Sequence, residues 1–430
     1  MAYEGYQVPV HQSLPAPATR PMDRRGDPAK AGYFSSVQEV AAAVTPKSLS
    51  FLLSQHNPPK LEGSLTLWEA VWAIVNIFVG LGLLSQPYAL AVGGWACLGW
   101  LFVVTAVCGF TGVLLALLFD RLREQGRDLT YASLGEAAMG PYGRVIVQAA
   151  VSLELAGATL VCSLFMWENL LYLLPKVPLR WIAVSSTVAV TPTVFLLDFQ
   201  TLSPLSFLGV VANLAMVIAI VGVFCMDPSP PQRGELSLHG NLQGTSIAIG
   251  IFLLSLAGHP CIPAVYAKLE RKEDIYNVVS YSFGLIFATY ALVATAGYLR
   301  YGPSLSVLIT ENIMLDPGGL WFRAAAMLIV AKTYCSISPF LSICCEVPEQ
   351  ALGLHSANLR RAFRLAALVI IETVAYTAKD HLAVVQAITG STATIFVAII
   401  VPAVCYVMLF PAEKTDTESN TTTSPPSGEG

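Results

Sequence analysis

The stretch VNIFVGLGLLSQPYAL, Val75 to Leu90, decides how this chain is read. It lies inside an apolar run long enough to cross a bilayer, yet it carries Asn76, Gly80, Gly82, Ser85, Gln86 and Pro87. In hydrocarbon, unpaired backbone amides and carbonyls are costly, so non-helical backbone survives there only where it is buried in protein or lines a cavity. Gly80 and Gly82 permit an unwound turn, and Pro87 removes an intrahelical donor. Taken alone, such a break is as readily a packing device as a site, because small residues let membrane helices approach closely.

The rest of the chain is equally apolar. Of its 430 residues 55% are hydrophobic and only 12% charged, with a mean hydropathy of +0.62. Soluble domains carry about 25% charge, so the composition points to an all-α polytopic membrane protein. The nine cysteines all fall within or beside apolar segments, which argues against a disulfide framework or a thiolate metal site. Residues 1–62, polar and rich in Pro, Ser and Ala, and 412–430, polar and rich in Thr and Ser, are expected to be disordered tails around a membrane domain at 63–411.

A helix needs roughly 20 apolar residues to span the hydrocarbon. Ten segments qualify, at 68–90, 95–119, 145–168, 180–197, 203–226, 244–268, 276–300, 320–345, 362–378 and 382–410. With the N-terminus in the cytosol, seventeen Lys and Arg fall on the cytosolic side and six on the other. The positive-inside rule therefore places both tails in the cytosol.

A second break settles the first. The sixth segment reads IFLLSLAGHPCIPAVYAKLE, with Ser255, Gly258, His259, Pro260 and Pro263 in mid-span. Interruptions in the first and sixth of ten spans match two five-helix halves related by an inverted repeat, each opening with a discontinuous helix that helps build a midplane site. Exposed amide ends suit a carboxylate and carbonyl ends an ammonium or cation, so an amino acid is the natural ligand. The substrate site is accordingly expected at Asn76, Val79, Gly80, Gly82, Ser85, Ser255, Gly258 and His259.

Five motifs in order carry a family resemblance: GLGLLSQPYALAVGGW (Gly80–Trp95), CGFTGVLL (Cys108–Leu115), DLTYASLGEAAMGPYGR (Asp128–Arg144), GHPCIPAVY (Gly258–Tyr266) and AKTYCSISP (Ala331–Pro339). Over about Leu65 to Phe410 the chain resembles the amino acid/auxin permease family, particularly its vacuolar amino acid transporters and the vesicular inhibitory amino acid transporter. The resemblance implies the inverted-repeat transporter fold and secondary transport of amino acids driven by a proton gradient, in a vacuolar or vesicular membrane. No eleventh apolar segment follows Phe410, where many relatives have one, and the KDH of Lys379–His381 replaces an expected apolar turn.

Ionisable residues inside a span are functional candidates by default. Lys332 lies near the middle of the eighth span, which in the implied fold packs beside the broken first helix where sodium-coupled relatives hold a cation. Its ammonium is expected to stand in for that ion near Val79–Gly82. Thr333 and Ser336 would line the same cavity, and Glu154 in the third span is the leading proton carrier. Lys332 paired with Glu154 or Glu372 for structure alone is the alternative. His259, at the second break, either binds and senses protons or is a satisfied structural group.

The expected partners are thus an amino acid, protons and the lipid bilayer, with no nucleic acid, cofactor or metal. A sodium-coupled plasma-membrane importer and an amino acid sensor without net transport stay open as alternatives. No HExxH, GxSxG or paired intramembrane Asp supports an enzyme.

Overall fold

A computed structural model describes residues 65–195, a few positions between 214 and 222, and residues 236–315 and 320–411. The two tails and most of the expected fifth span, 203–226, lie outside the described residues. Among the described residues the chain is helical, and its one strand-like feature is a single parallel bridge between Leu65 and Leu269.

The opening stretch folds as its composition demands. Helix α1 (Leu67–Phe78) starts at a Thr66 capping box, in which Glu69 reaches back to the Thr66 amide at 2.9 Å. It ends at Val79 and Gly80, turns through a 3-10 stretch at Leu81–Ser85, and resumes as α2 (Gln86–Gly93) with Pro87 in its first turn. Proline is tolerated there because the first turn has no intrahelical acceptor for its missing N–H. Pro87 therefore starts the second half-helix rather than merely spoiling the first, and the two halves are bent by 58°.

Helices α3 (Cys97–Glu124), α4 (Tyr131–Leu173) and α5 (Leu179–Phe195) follow. The third span is far longer than its expected 145–168, because the preceding loop is itself helical and joins α4 through a kink at Gly140–Pro141. Gly140 has φ 72° there, a conformation that favours glycine.

The sixth span repeats the design of the first. Helix α6 (Leu242–Ser255) stops, Gly258 leads into a 3-10 turn at His259–Cys261, and α7 (Ile262–Lys268) completes the crossing. Then come α8 (Ile275–Tyr301), the short α9 (Ile309–Leu315), α10 (Leu320–Ala351) and α11 (Ala357–Thr377). The tenth span, expected over 382–410, is one helical run that changes winding along its length: α12 (Leu382–Thr389), a π-helical passage through Gly390–Thr394 and Phe396–Ile400, and α13 (Val401–Leu409). Its irregularity falls where α12 crosses α6: a Cβ on Gly390 would stand 2.7 Å from the Leu254 amide nitrogen.

Six described helices are long and apolar enough to cross a membrane, and the bent pair α1–α2 makes a seventh span. Helix α5 has 17 residues, and α11 carries Arg360, Arg361, Arg364 and Glu372. Both occupy the places of expected spans, the fourth and ninth, without meeting that standard on their own.

The ends of the interrupted helices are tied together at the end that holds Arg121 and Arg123. The Leu65 amide donates to the Lys268 carbonyl and the Glu270 amide to the Leu65 carbonyl, each at 2.9 Å. Asp120, on the last turns of α3, accepts the hydroxyls of Tyr266 and Tyr276, the second at 2.9 Å. Lys272 caps the carbonyl end of α7 at Tyr266 and Ala267. The entry of the first span and the exit of the sixth are thereby latched to α3 and α8.

Candidate functional site

The two breaks meet in the interior. Ser255 closes α6 directly against Gly82 in the 3-10 turn of the first span. A Cβ on Gly82 would lie 2.6 Å from the Ser255 Cα and closer still to its side chain, so only glycine fits this crossing. Gln86 clamps the two segments together, its Nε2 donating to the Gly82 carbonyl at 3.1 Å and to the Ser255 Oγ at 2.8 Å. From α12, the Gln386 Nε2 donates to the Ser85 Oγ at 3.1 Å. Gly82 and Ser255 are thereby joined through Gln86, and Ser85 is held separately by Gln386, all of them buried.

Tyr290 of α8 completes it. Its hydroxyl lies 2.6 Å from the Phe78 carbonyl and 2.9 Å from the Ser255 carbonyl, the last residues of α1 and α6. A half-helix ends with carbonyls that have no partner in their own helix, and here one phenol serves the ends of both.

Lys332 reaches the first break from α10. A Cβ on Gly80 would stand 3.1 Å from its Nζ, so the ammonium lies against the unwound turn. Thr333 and Ser336 accompany it with their hydroxyls directed to their own helix: Thr333 donates to the Ile329 or Val330 carbonyl (2.9 and 3.0 Å), and Ser336 to the Lys332 carbonyl at 3.0 Å. Val79 is buried beside Gly80, and Asn76 sits partly buried on the last turn of α1.

His259 and Glu154 stand apart from this centre. The His259 ring turns to α3, with Nε2 3.0 Å from the Cys108 carbonyl and 3.4 Å from the Thr111 Oγ1. Phe78 and Phe283 pack on it edgewise or tilted, with centroids 5.7 and 5.9 Å away, and it is fully buried. Gly258 passes the same Phe78 ring so closely that a Cβ would lie 2.9 Å from it. Glu154 is buried in α4 beside the Thr394 hydroxyl of the π-helical passage, and neither carboxyl oxygen has a hydrogen bond of good geometry among the described residues. Glu372 takes a different partner, accepting from the Ser163 Oγ at 2.7 Å.

Three residues of the centre were not among the expected site residues. Gln86 lay in the decisive stretch itself, where it stood out only as a polar interruption. Tyr290 is one of several tyrosines and hydroxyl residues in α8 and Gln386 one of several polar residues in the tenth span, so no local pattern marks them, and only the packing of α8 and α12 on the breaks reveals them.

Comparison with known proteins agrees with this architecture. The family model described as transmembrane amino acid transporter protein matches residues 63–424. Similar curated proteins include amino acid transporter AVT1B of Arabidopsis thaliana, 27% identical over 81% of this chain and 66% of that protein. Amino acid transporter AVT1E of the same plant is 26% identical over 90% of this chain and 77% of that one. The vesicular inhibitory amino acid transporter of Mus musculus is 26% identical over 69% and 57%. The chain spans just under two thirds of the length of AVT1B. Among solved structures, the substrate-bound outward-open state of a Na+-coupled sialic acid symporter superposes with a TM-score of 0.50 over 87% of each chain, at 12% identity. At that identity the likeness is one of fold.

Proposed function

We propose that this chain, which belongs to the family of transmembrane amino acid transporter proteins, is a secondary active amino acid transporter that couples its substrate to protons and needs no sodium. The observation that carries this reading is the buried meeting of two half-helix ends with the Lys332 ammonium against Gly80. A fixed ammonium at a broken helix supplies the positive charge that unwound carbonyls otherwise draw from a bound cation. The unwound backbone segments around Val79–Ser85 and Ser255–Gly258 then serve a zwitterionic amino acid.

Transport proceeds by alternating access, with the two interrupted helices rocking between states open to opposite sides. Glu154 carries the coupled proton. Its burial beside the π-helical passage of the tenth span puts its charge state next to an element able to shift. Protonation couples the two fluxes by binding one state better than the other. The basic end, latched through Asp120, faces the cytosol by the distribution of Lys and Arg. The membrane is a vacuolar or vesicular one, in line with the name of the mouse relative.

The test is uptake of a panel of labelled amino acids into proteoliposomes of the purified protein, in sodium-free buffer, with and without an imposed pH gradient. Gradient-driven uptake that collapses with an uncoupler supports the reading and names the substrate. Uptake that appears only on adding sodium overturns the role given to Lys332, and no uptake under any gradient returns the protein to a sensor.

A further inference from the structure

We propose that Tyr290 is a positioning residue whose single hydroxyl holds both interrupted helices in one substrate-competent geometry, a role that rests on the transporter reading above. Its ring is fully buried in α8, which packs on both halves of the first span. Its oxygen is 2.6 Å from the Phe78 carbonyl and 2.9 Å from the Ser255 carbonyl, and the backbone of Gly80 is within hydrogen-bond reach of the same atom. Phe78 ends α1 and Ser255 ends α6.

The two carbonyl ends carry partial negative charge and repel each other when brought together without a donor. Away from water, each also needs a partner of its own. A phenol has one proton, so it serves the two carbonyls by sharing that proton or alternating between them. Either way the position of one oxygen fixes where Phe78 lies relative to Ser255. The segments that follow those residues, Val79–Gly82 and Leu256–Gly258, are the ones given to the substrate. Tyr290 thus sets the width of a site whose lining it does not form.

Ser282, about two turns earlier in the same helix, offers a contrast. Its Oγ is 2.7 Å from the Val278 carbonyl of its own helix and only 3.3 Å from the Val71 carbonyl of α1. It links α8 to α1 away from the breaks and, among the described residues, has no hydrogen bond to α6.

The experiment is concentration-dependent uptake in proteoliposomes for the wild type, Tyr290→Phe and Ser282→Ala, with the melting temperature of each. Tyr290→Phe keeps the ring and its packing and removes only the hydroxyl. The expected result is a KM raised roughly tenfold, the scale of one lost buried hydrogen bond, with a smaller change in maximal rate per folded transporter. Ser282→Ala stays near the wild-type KM. A Tyr290→Phe KM within about twofold of wild type overturns the proposal, whether or not the melting temperature falls, because a purely structural hydroxyl would act on stability alone. If Tyr290→Phe does not accumulate, 4-fluorophenylalanine at position 290 fills the space of the hydroxyl but donates no hydrogen bond. An unchanged KM there overturns the proposal equally. A wild type without saturable uptake overturns the transporter reading itself, a result distinct from either.

Discussion

Gly82→Ala probes the crossing on which the site depends. The new methyl would be built 2.6 Å from the Ser255 Cα and closer to its Cβ and Oγ, whereas neighbouring carbon atoms rest about 3.5–4.0 Å apart. One helix must retreat by about 1 Å, and backbone cannot swing aside as a flexible side chain does. The same retreat stretches both Gln86 hydrogen bonds, to the Gly82 carbonyl and to the Ser255 Oγ. Overpacking of this kind costs about 1–3 kcal/mol. At tenfold per 1.4 kcal/mol that is a loss of about 5- to 150-fold in the population with both breaks correctly joined. Initial uptake rates per folded transporter should fall within that range. Gly80→Ala presses only on the flexible end of the Lys332 side chain, at 3.1 Å, with the Ile77 carbonyl at an ordinary 3.7 Å, and should lose much less. Gly99→Ala, with nothing within 4 Å, is the neutral control. In Gly82→Ala/Ser255→Gly the side-chain clash disappears while the new methyl still presses on the backbone of the sixth span, so partial recovery is expected. Gly82→Ala with wild-type uptake would refute the close crossing of the first and sixth spans.

Four other outcomes follow from particular interactions. Lys332→Met removes the ammonium beside Gly80 while keeping much of its bulk, and should abolish gradient-driven uptake in sodium-free vesicles; full activity would remove Lys332 from the site. Glu154→Gln should lose the response to a pH gradient yet retain exchange of labelled for unlabelled substrate, read by counterflow; retained gradient-driven accumulation would move the proton elsewhere. Tyr266→Phe breaks a bond to the Asp120 carboxylate, an interaction worth about 1.5–3 kcal/mol, and should speed thiol labelling of Cys261 from the basic end by tenfold or more; an unchanged rate would mean that the latch does not hold that end closed. Arg364 and Glu349 form a buried two-pronged pair at 2.6 and 3.1 Å, and Glu349→Gln should lower the Tm by several degrees, since breaking such a pair costs about 3–5 kcal/mol. An unaltered Tm would show the pair to be solvated.

The class of fold was legible because hydrocarbon punishes exposed backbone so severely. A Gly, Ser, Gln and Pro cluster inside an apolar run has few explanations, and its recurrence in the sixth span left fewer. Both breaks lie where the residues put them, and Gly82 and Ser255 touch across them. The tenth span is one run as expected, but GSTAT at Gly390–Thr394, with no proline and only one glycine, gave no sign of its π-helical winding. That winding lies where α6 passes closely, a tertiary circumstance invisible in local sequence. His259 shows a different limit. Its position in the break was readable, but the direction of its ring was not, and the ring packs between Phe78 and Phe283 toward α3. Tyr290 shows why a site cannot be assembled from one stretch: its importance arises from two carbonyls distant in the chain, at Phe78 and Ser255, converging on one oxygen.

The central claim is that amino acid and proton move together without sodium. It is tested most directly by trapping a pH-sensitive dye inside proteoliposomes, clamping the membrane potential, and adding substrate in sodium-free buffer. The account predicts a substrate-dependent pH change in wild-type vesicles that is absent with Glu154→Gln. Substrate entry with no accompanying proton movement would contradict it.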